Sequence, residues 1–149
     1  MRTRPATVAD IPAMLELERQ AATAAHWSRE QYDQLFNAQE LRRVALLIET
    51  EDGEPRGFLV ARSLDGEWEI ENVVVTEAFQ RRGLGTQLLD ELLEQARAAR
   101  ARSVFLEVRE SNRAARTLYA KRGFAVRGCR RNYYQNPPED GLVYRLDLT

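Results

Sequence analysis

The sequence feature that most constrains the fold is a crossover, in which a strand passes through a glycine-containing loop into the longest predicted helix and then into another strand. The first strand covers residues 68–76, the loop residues 80–85 and the second strand residues 103–108. The helix carries an apolar stripe at helical spacing, formed by Leu84, Leu88, Leu89, Leu92, Ala96 and Ala99. Because crossovers of this length normally join parallel neighbours, we expect the two strands to lie side by side.

The residues before this crossover predict two helices and an antiparallel meander. A capping box at Thr7 and Asp10 begins the first helix, and Ser28 begins the second. The buried residues expected on the second helix are Tyr32, Leu35 and Phe36. Strands separated by turn sequences are predicted over residues 2–4, 44–49, 57–64 and 68–76.

The residues after the crossover predict a short helix and two closing strands. Ser111 or Asn112 caps the helix, and Gly123 ends it in the C′ position. The strands cover residues 124–130 and 143–148, and a polar loop over residues 132–141 joins them. The predicted fold class is therefore α/β of the α+β kind, with a mixed, mostly antiparallel sheet of six to seven strands and about four helices.

Composition limits the size and surroundings of the protein. A chain of 149 residues with 44% hydrophobic and 30% charged residues predicts a single domain over residues 1–149. The longest apolar run, from Val44 to Ile48, is far shorter than the roughly 18 residues that span a bilayer. With a net charge of −1, no overall positive field favours nucleic acid or an anionic membrane. We therefore expect a cytoplasmic protein that does not bind nucleic acid directly.

The scarce residue types restrict the chemistry. Cys129 is the only cysteine and His26 the only histidine, so the chain holds neither an internal disulfide nor a Cys/His zinc site. A Ser-His-Asp or Cys-His catalytic set would need His26, which directly precedes a helix start. Proton transfer is therefore expected from carboxylates and tyrosines, since lysine occurs only at Lys121.

The glycine loop has the features of a phosphate site. Gly83 and Gly85 stand where a strand becomes the N-terminus of a helix, whose first N–H groups are unpaired and carry the positive end of the helix dipole. Arg81 and Arg82 add positive charge there. The loop lacks the Lys-Ser/Thr of a Walker A motif and the third glycine of the dinucleotide fingerprint. A turn with two solvated arginines is the alternative interpretation.

In this context the sequence resembles the GNAT superfamily of N-acetyltransferases. The resemblance rests on Gln80-x-x-Gly-x-Gly85, on Ala-Thr-x-Ala-Asp near the start, and on the segment from Asn112 through Leu118-Tyr119 to Gly123-Phe124. It implies that the two parallel strands splay apart at the centre of the sheet. It also implies that the pyrophosphate of acetyl-CoA binds at Arg81, Arg82, Gly83, Leu84, Gly85 and Thr86.

Within the superfamily the chain is most similar to the RimI branch, whose members acetylate the N-terminal alanine of a small-subunit ribosomal protein. The matching residues are His26-Trp-Ser28, residues 106–112, Leu118-Tyr119 and Arg130-Arg-Asn-Tyr-Tyr134. The resemblance implies that the acceptor is a protein or peptide N-terminus, such as that of a ribosomal protein. We expect the enzyme to be a monomer or a weak dimer.

Two glutamates compete for the role of general base. By resemblance to the RimI branch the base is Glu107, which strand alternation places on the face opposite Leu106 and Val108. An apolar surround there would raise its pKa toward the working range, whereas a solvated edge carboxylate is the alternative. Glu69 matches the catalytic glutamate of histone-type members and shares a face with Glu71.

The remaining roles come from the same resemblance. The hydroxyl of Tyr119 donates a proton to the departing thiolate, although a tyrosine on this apolar stripe is otherwise a core residue. The backbone N–H groups of Val73, Val74 and Val75 line the splayed strand and stabilise the oxyanion. Asn112 binds the pantetheine arm, or it caps its own helix.

The acceptor stays open on sequence alone. A protein N-terminal amine is the first hypothesis, and a small-molecule amine or a lysine side chain is the second. A silent acyl-CoA-binding module is the third. Nine acidic residues over residues 49–77 favour a cationic amine, and eight basic residues over residues 109–131 favour the phosphates of CoA or an RNA-bearing substrate, but solvated faces explain both runs nearly as well.

Overall fold

The computed structural model describes residues 1–21, 27–36, 42–76 and 83–149. A 3-10 turn at Val8–Asp10 precedes the first helix. The helices are α1 (Ile11–Gln20), α2 (Arg29–Leu35), α3 (Leu84–Ala98) and α4 (Arg113–Lys121). The strands are β1 (Arg2–Pro5), β2 (Arg42–Glu49), β3 (Pro55–Leu64), β4 (Glu67–Val75), β5 (Ser103–Arg109), β6 (Ala125–Tyr134) and β7 (Glu139–Asp147).

The strands form one mixed sheet in the order β1-β2-β3-β4-β5-β7-β6. β4 and β5 are parallel, and every other neighbouring pair in this order is antiparallel. The crossover through α3 therefore joins parallel neighbours, as the sequence predicts. The fold class predicted from the sequence is confirmed.

The parallel pair is in contact over only part of its length. Pairing begins with Glu67 opposite Ser103 and ends with Ile70 opposite Leu106, although β4 continues to Val75 and β5 to Arg109. The expected side-by-side arrangement is thus limited to four residue pairs. Beyond them the strands diverge and leave an opening at the centre of the sheet.

A β-bulge in β4 lies where the divergence begins. Val60 of β3 pairs with Asn72 while Ala61 pairs with Ile70, so Glu71 is an extra residue on β4. An extra residue reverses the alternation of the side chains that follow it. Val73 and Val75 consequently pack on the same core cluster as Ile70, which an uninterrupted strand would not allow.

The hydrophobic core consists of one cluster on each face of the sheet. Leu59 and Ala61 belong to the cluster that α3 covers, and Phe58 and Val60 belong to the cluster that α1 and α2 cover. Helix α3 contributes Leu84, Leu88, Leu89, Leu92, Leu93 and Ala96 to the first cluster. Within the described parts of the chain, no helix is long and apolar enough to cross a membrane.

Several local predictions are confirmed. Ser28 and Gln31 form a reciprocal capping box at the start of α2. Gly123 follows α4 with a φ of 92°, a left-handed conformation that suits glycine. The side chain of Asn112, rather than that of Ser111, caps α4.

Three local predictions are wrong. The loop expected over residues 132–141 is largely strand, because Tyr134 pairs with Glu139 and Arg109 holds the remaining turn by hydrogen bonds to its carbonyl groups. Ala99 is exposed at the C-cap of α3, and Leu93 is buried on the helix instead. Phe36 is only half-buried because α2 has already ended at Leu35.

Candidate active site at the opening between β4 and β5

The candidate site is the opening between β4 and β5. The N–H of Thr76 donates to the carbonyl of Arg56 on β3, at 2.9 Å. Since hydrogen-bonded and non-hydrogen-bonded residues alternate along an antiparallel pair, the N–H of Val74 faces β3 and the N–H of Val73 faces the opening. The backbone of β4 therefore presents peptide groups to any ligand that enters from that side.

The N-terminus of α3 lies after the end of β4. Gly83 is its N-cap with a φ of 77°, and its carbonyl accepts the N–H of Gln87 at 2.9 Å. A Cβ added at Gly83 would have no heavy atom within 4 Å, so the left-handed backbone rather than lack of space favours glycine here. The N–H groups of the first turn belong to Leu84, Gly85 and Thr86, and such groups have no partner within their helix. This end of α3 is therefore suited to an anion.

Gly85 also has a packing role that the sequence does not show. A Cβ there would lie 3.3 Å from Cδ2 of Leu118 and 3.9 Å from Cγ2 of Val75. The glycine therefore lets α3 approach α4 and β4 closely. The side chain of Leu84 is buried in the core. Arg81 and Arg82 lie outside the described residues.

Glu107 is the first residue of β5 after its pairing with β4 ends. Its side chain is 14% exposed, and Oε1 lies 3.1 Å from Nε of Arg130. Oε2 is buried and has no hydrogen-bond partner among the residues described. A buried carboxylate oxygen without a donor is costly, so this atom is available to an incoming N–H group.

The surroundings of Glu107 are not the apolar ones expected. Arg130 lies beside it, and a hydrogen bond from the Tyr133 hydroxyl to this carboxylate is the largest cause that raises the pKa of that hydroxyl. Burial, followed by the charge of Glu107, raises the pKa of Tyr134 to about 12. Sequence alternation places Glu107 on its face but cannot show which β6 side chains cross β7 to reach it.

The competing carboxylate, Glu69, already has a cationic partner. Nη2 of Arg62 lies 2.7 Å from Oε1 of Glu69, and Nε of Arg62 lies 3.9 Å from Glu71. Glu69 pairs with Phe105, two residues before Glu107, so both candidate bases are on the face opposite α3. The structure thus places the two candidates on one face of the sheet, and of the two only Glu107 has a buried oxygen without a hydrogen-bond partner among the described residues.

Tyr119 lies on the α3 side of the sheet, opposite the face that carries Glu107. It is 4% exposed and packs against the rings of Phe124 and Tyr144, with centroids 5.5 and 6.2 Å away. Burial is the main cause that raises the pKa of its hydroxyl, with a smaller effect from Tyr134. The hydroxyl therefore keeps its proton well above neutral pH and is a donor.

A hydrogen bond and an ion pair connect the residues just before α4 to the hairpin of β6 and β7. Oδ1 of Asn112 accepts the N–H of Ala115 at 3.2 Å, so the capping role expected for Asn112 is observed. Glu139 accepts the N–H of Ser111 at 2.6 Å and pairs with Arg109 at 3.2 Å. The sequence alone does not indicate a contact between Glu139 and Arg109, because their contact depends on the register of β5 with β7.

A buried carboxylate on α1 connects three elements near the bulge. Glu18 is 2% exposed and accepts the Tyr32 hydroxyl at 2.7 Å, the Asn72 amide at 2.9 Å and the Trp27 N–H at 2.8 Å. Asn72 directly precedes Val73, whose N–H faces the opening. The network therefore holds the bulge of β4 against α1 and α2. His26, the single histidine, lies outside the described residues.

Comparisons with known proteins agree with this geometry. The sequence profile of the Acetyltransferase (GNAT) family matches residues 11–124. A [ribosomal protein bS18]-alanine N-acetyltransferase of Salmonella typhimurium is 34% identical over 142 residues, covering 94% of this chain and 93% of that protein. An N-alpha-acetyltransferase RimI of Mycobacterium tuberculosis is 43% identical over 81 residues, covering 54% of this chain and 49% of that protein.

The same relationship is visible in three dimensions. The crystal structure of the ribosomal-protein-S18-alanine N-acetyltransferase from Escherichia coli superposes with a TM-score of 0.85 at 28% identity, covering 99% of this chain and 94% of that one. A mixed sheet opened at its central parallel pair and a glycine-led helix beside it define an acetyl-CoA-dependent N-acetyltransferase. The chain belongs to the GNAT acetyltransferase family.

Proposed function

We propose that this enzyme transfers the acetyl group of acetyl-CoA to the N-terminal α-amine of a protein, and that the N-terminal alanine of ribosomal protein bS18 is its acceptor. Relatives that carry this activity in their names align with 94% of the chain. The single observation that carries the proposal is the buried, unpartnered Oε2 of Glu107 at the opening. The expected cytoplasmic location and monomeric or weakly dimeric state stay predictions.

In this proposal the cofactor lies along the opening. Its pyrophosphate binds the first N–H groups of α3, from Gly83 to Thr86, with Arg81 and Arg82 adding charge. The thioester carbonyl oxygen lies near the backbone of β4 over residues 73–75, where the N–H of Val73 is positioned to stabilise an oxyanion. Because Oδ1 of Asn112 already caps α4, only the amide nitrogen of that side chain is offered to the pantetheine arm.

The proposed reaction is a direct attack. The acceptor amine enters in its neutral form and donates an N–H to Glu107, directly or through one water. The amine nitrogen then forms a bond to the thioester carbonyl carbon, the carbonyl oxygen becomes the oxyanion, and Glu107 takes the proton that the nitrogen loses. As the oxyanion collapses, the C–S bond breaks and the thiolate of CoA accepts the proton of Tyr119. Solvent afterwards carries the proton held by Glu107 away and re-protonates Tyr119. The two residues act from opposite faces of the sheet, so attack and departure occur on opposite sides of the carbonyl.

The partners of the two glutamates support Glu107 as the base, with Glu69 as the second candidate. Arg62 contacts Glu69 through two nitrogens, Nε and Nη2, each 2.7 Å from the carboxylate. The ion pair of Glu107 is less complete, since Arg130 contacts Oε1 at 3.1 Å, Tyr133 adds a neutral hydroxyl donor, and Oε2 has no partner in hydrogen-bonding geometry among the described residues. An arriving amine therefore meets less competition at Glu107.

The acceptor is tested with three substrates of equal concentration. The first is a peptide that begins with alanine, the second is the same peptide with a blocked N-terminus and one free lysine, and the third is a polyamine. Mass spectrometry locates the acetyl group, and thiol release measures the rate. We expect rapid acetylation of the first peptide only. Rapid turnover with the polyamine alone, or equal rates on the two peptides, contradicts the proposal.

A further inference from the structure

Arg130 is the cationic partner of the proposed base. It lies on β6 with its side chain 60% exposed, while the Glu107 side chain beneath it is 14% exposed. Its guanidinium is 5.3 Å from the ring centroid of Tyr133. The ion pair therefore covers the carboxylate from the solvent side, and the ring of Tyr133 holds the guanidinium in that position.

We propose that Arg130 selects the acceptor by charge, so that the site accepts a neutral amine and disfavours an ammonium. This inference rests on the proposed function and concerns the specificity of the same site. A substrate ammonium gains most from a carboxylate whose charge is uncompensated. At Glu107 that charge is already compensated, and a second cation is repelled by the guanidinium. A neutral amine is not repelled and donates its N–H to the free Oε2.

The other groups that face Glu107 do not change this balance near neutral pH. Tyr133 and Tyr134 on β6 have raised pKa values, so both stay uncharged. On β4, Glu69 is paired with Arg62. Arg109, on β5 itself, is paired with Glu139 and lies 4.5 Å from the ring of Tyr134. Of the charges near Glu107, that of Arg130 is therefore the one whose removal should most change the binding of an ammonium.

Charge selection of this kind separates α-amines from lysines. With reference pKa values of about 8 and 10.4, about half of α-amines but fewer than about one in 200 lysine side chains are neutral at pH 8. An enzyme that admits only the neutral form thus prefers an N-terminus about a hundredfold before any other contact is made. Arg130 would supply this preference without recognising the peptide sequence.

The test compares kcat/KM for the alanine peptide and the blocked lysine peptide at pH 8 in the full-length enzyme. Arg130→Gln should reduce the ratio of the two values by about tenfold, mainly by lowering KM for the lysine peptide. Arg130→Lys retains the charge and should keep the wild-type ratio. Arg131→Gln is the matched control, since Arg131 is the next residue on β6 and is exposed.

A second measurement follows the KM for the alanine peptide as the pH changes. Between pH 7 and pH 9 the neutral fraction of an α-amine rises about tenfold, so KM of the wild-type enzyme for the alanine peptide should fall by about tenfold. In Arg130→Gln the fall should be less than about threefold, because the ammonium then binds as well. A change in folding alone would not alter this slope.

The outcomes separate this inference from the function on which it rests. An unchanged ratio in Arg130→Gln, or a wild-type KM that does not vary between pH 7 and pH 9, overturns the role of Arg130 and leaves N-terminal acetylation standing if the alanine peptide is acetylated. Failure of the wild-type enzyme to acetylate that peptide instead overturns the proposed function. A tenfold change with both Arg130→Gln and Arg131→Gln also counts against the inference, because charge anywhere on β6 would then suffice.

Discussion

Ile70 of β4 faces Leu106 of β5 in the last residue pair before the two strands separate. The next residue on β5 is Glu107, and the next on β4 is the bulged Glu71. The pairing of the two strands therefore ends at the residue before Glu107, the proposed base. The bulge of β4 and the carboxylate of β5 thus lie together at the edge of the proposed cofactor opening.

The role of Gly83 as part of a phosphate site is tested against a matched glycine. Gly83 and Gly53 have φ values of 77° and 86°, and a Cβ at either would have no heavy atom within 4 Å. Alanine at either position should therefore lower the free energy of unfolding by a similar amount, about 1 kcal/mol. Only Gly83→Ala should weaken acetyl-CoA binding, by about tenfold in Kd. Calorimetry that gives equal Kd values for the two variants would remove Gly83 from the site.

The buried network around Glu18 predicts a large loss of stability. Glutamine in place of Glu18 loses the charge that strengthens three hydrogen bonds and leaves its own amide in a buried position. We expect Glu18→Gln to lower the free energy of unfolding by about 2 kcal/mol or more. Glu16→Gln is the control, because Glu16 is exposed and bonds only within α1, so its loss should be less than about 0.5 kcal/mol. Equal denaturation midpoints for the two variants would refute the network.

The variant Tyr119→Phe shows whether Tyr119 is a proton donor or only a core residue. Phenylalanine keeps the ring contacts with Phe124 and Tyr144 but removes the hydroxyl, so kcat should fall at least tenfold while Tm changes little. Because the pKa of Tyr119 is raised, the wild-type enzyme should keep its acid through pH 9, and its rate should not decline on that account. A fully active Tyr119→Phe would mean that the residue is only part of the core.

The crossover and its parallel pair were predictable because they depend on local periodicity. The apolar stripe of α3 and the β-branched run before it are visible in the sequence, and right-handed crossovers leave few arrangements. The helix caps at Ser28, Asn112 and Gly123 were predictable for the same reason, since capping depends on neighbouring residues.

The features that the sequence did not predict depend on contacts between residues that are far apart in the chain. The role of Gly85 depends on Leu118, thirty-three positions later, and the length of the β6–β7 hairpin depends on Arg109 holding its turn. Glu18 has the sequence surroundings of a solvated helix residue, and its burial follows only from the positions of Tyr32 and Asn72. The sequence did not predict the contacts of Glu107 with Arg130 and Tyr133, because these two residues lie on β6 and reach Glu107 across β7.

The central claim is that Glu107, and not Glu69, is the general base. The most direct measurement is kcat/KM on the alanine peptide for Glu107→Gln and Glu69→Gln, at pH 7.5 and pH 9, with acetyl-CoA affinity measured for each. We predict that Glu107→Gln loses a factor of about 10² or more relative to the wild type at pH 7.5, recovers part of it at pH 9, where hydroxide can take the proton that the nitrogen loses, and binds acetyl-CoA normally. Glu69→Gln should lose less than about tenfold. The reverse pattern, with Glu107→Gln active and Glu69→Gln impaired and rescued at high pH, would contradict the account.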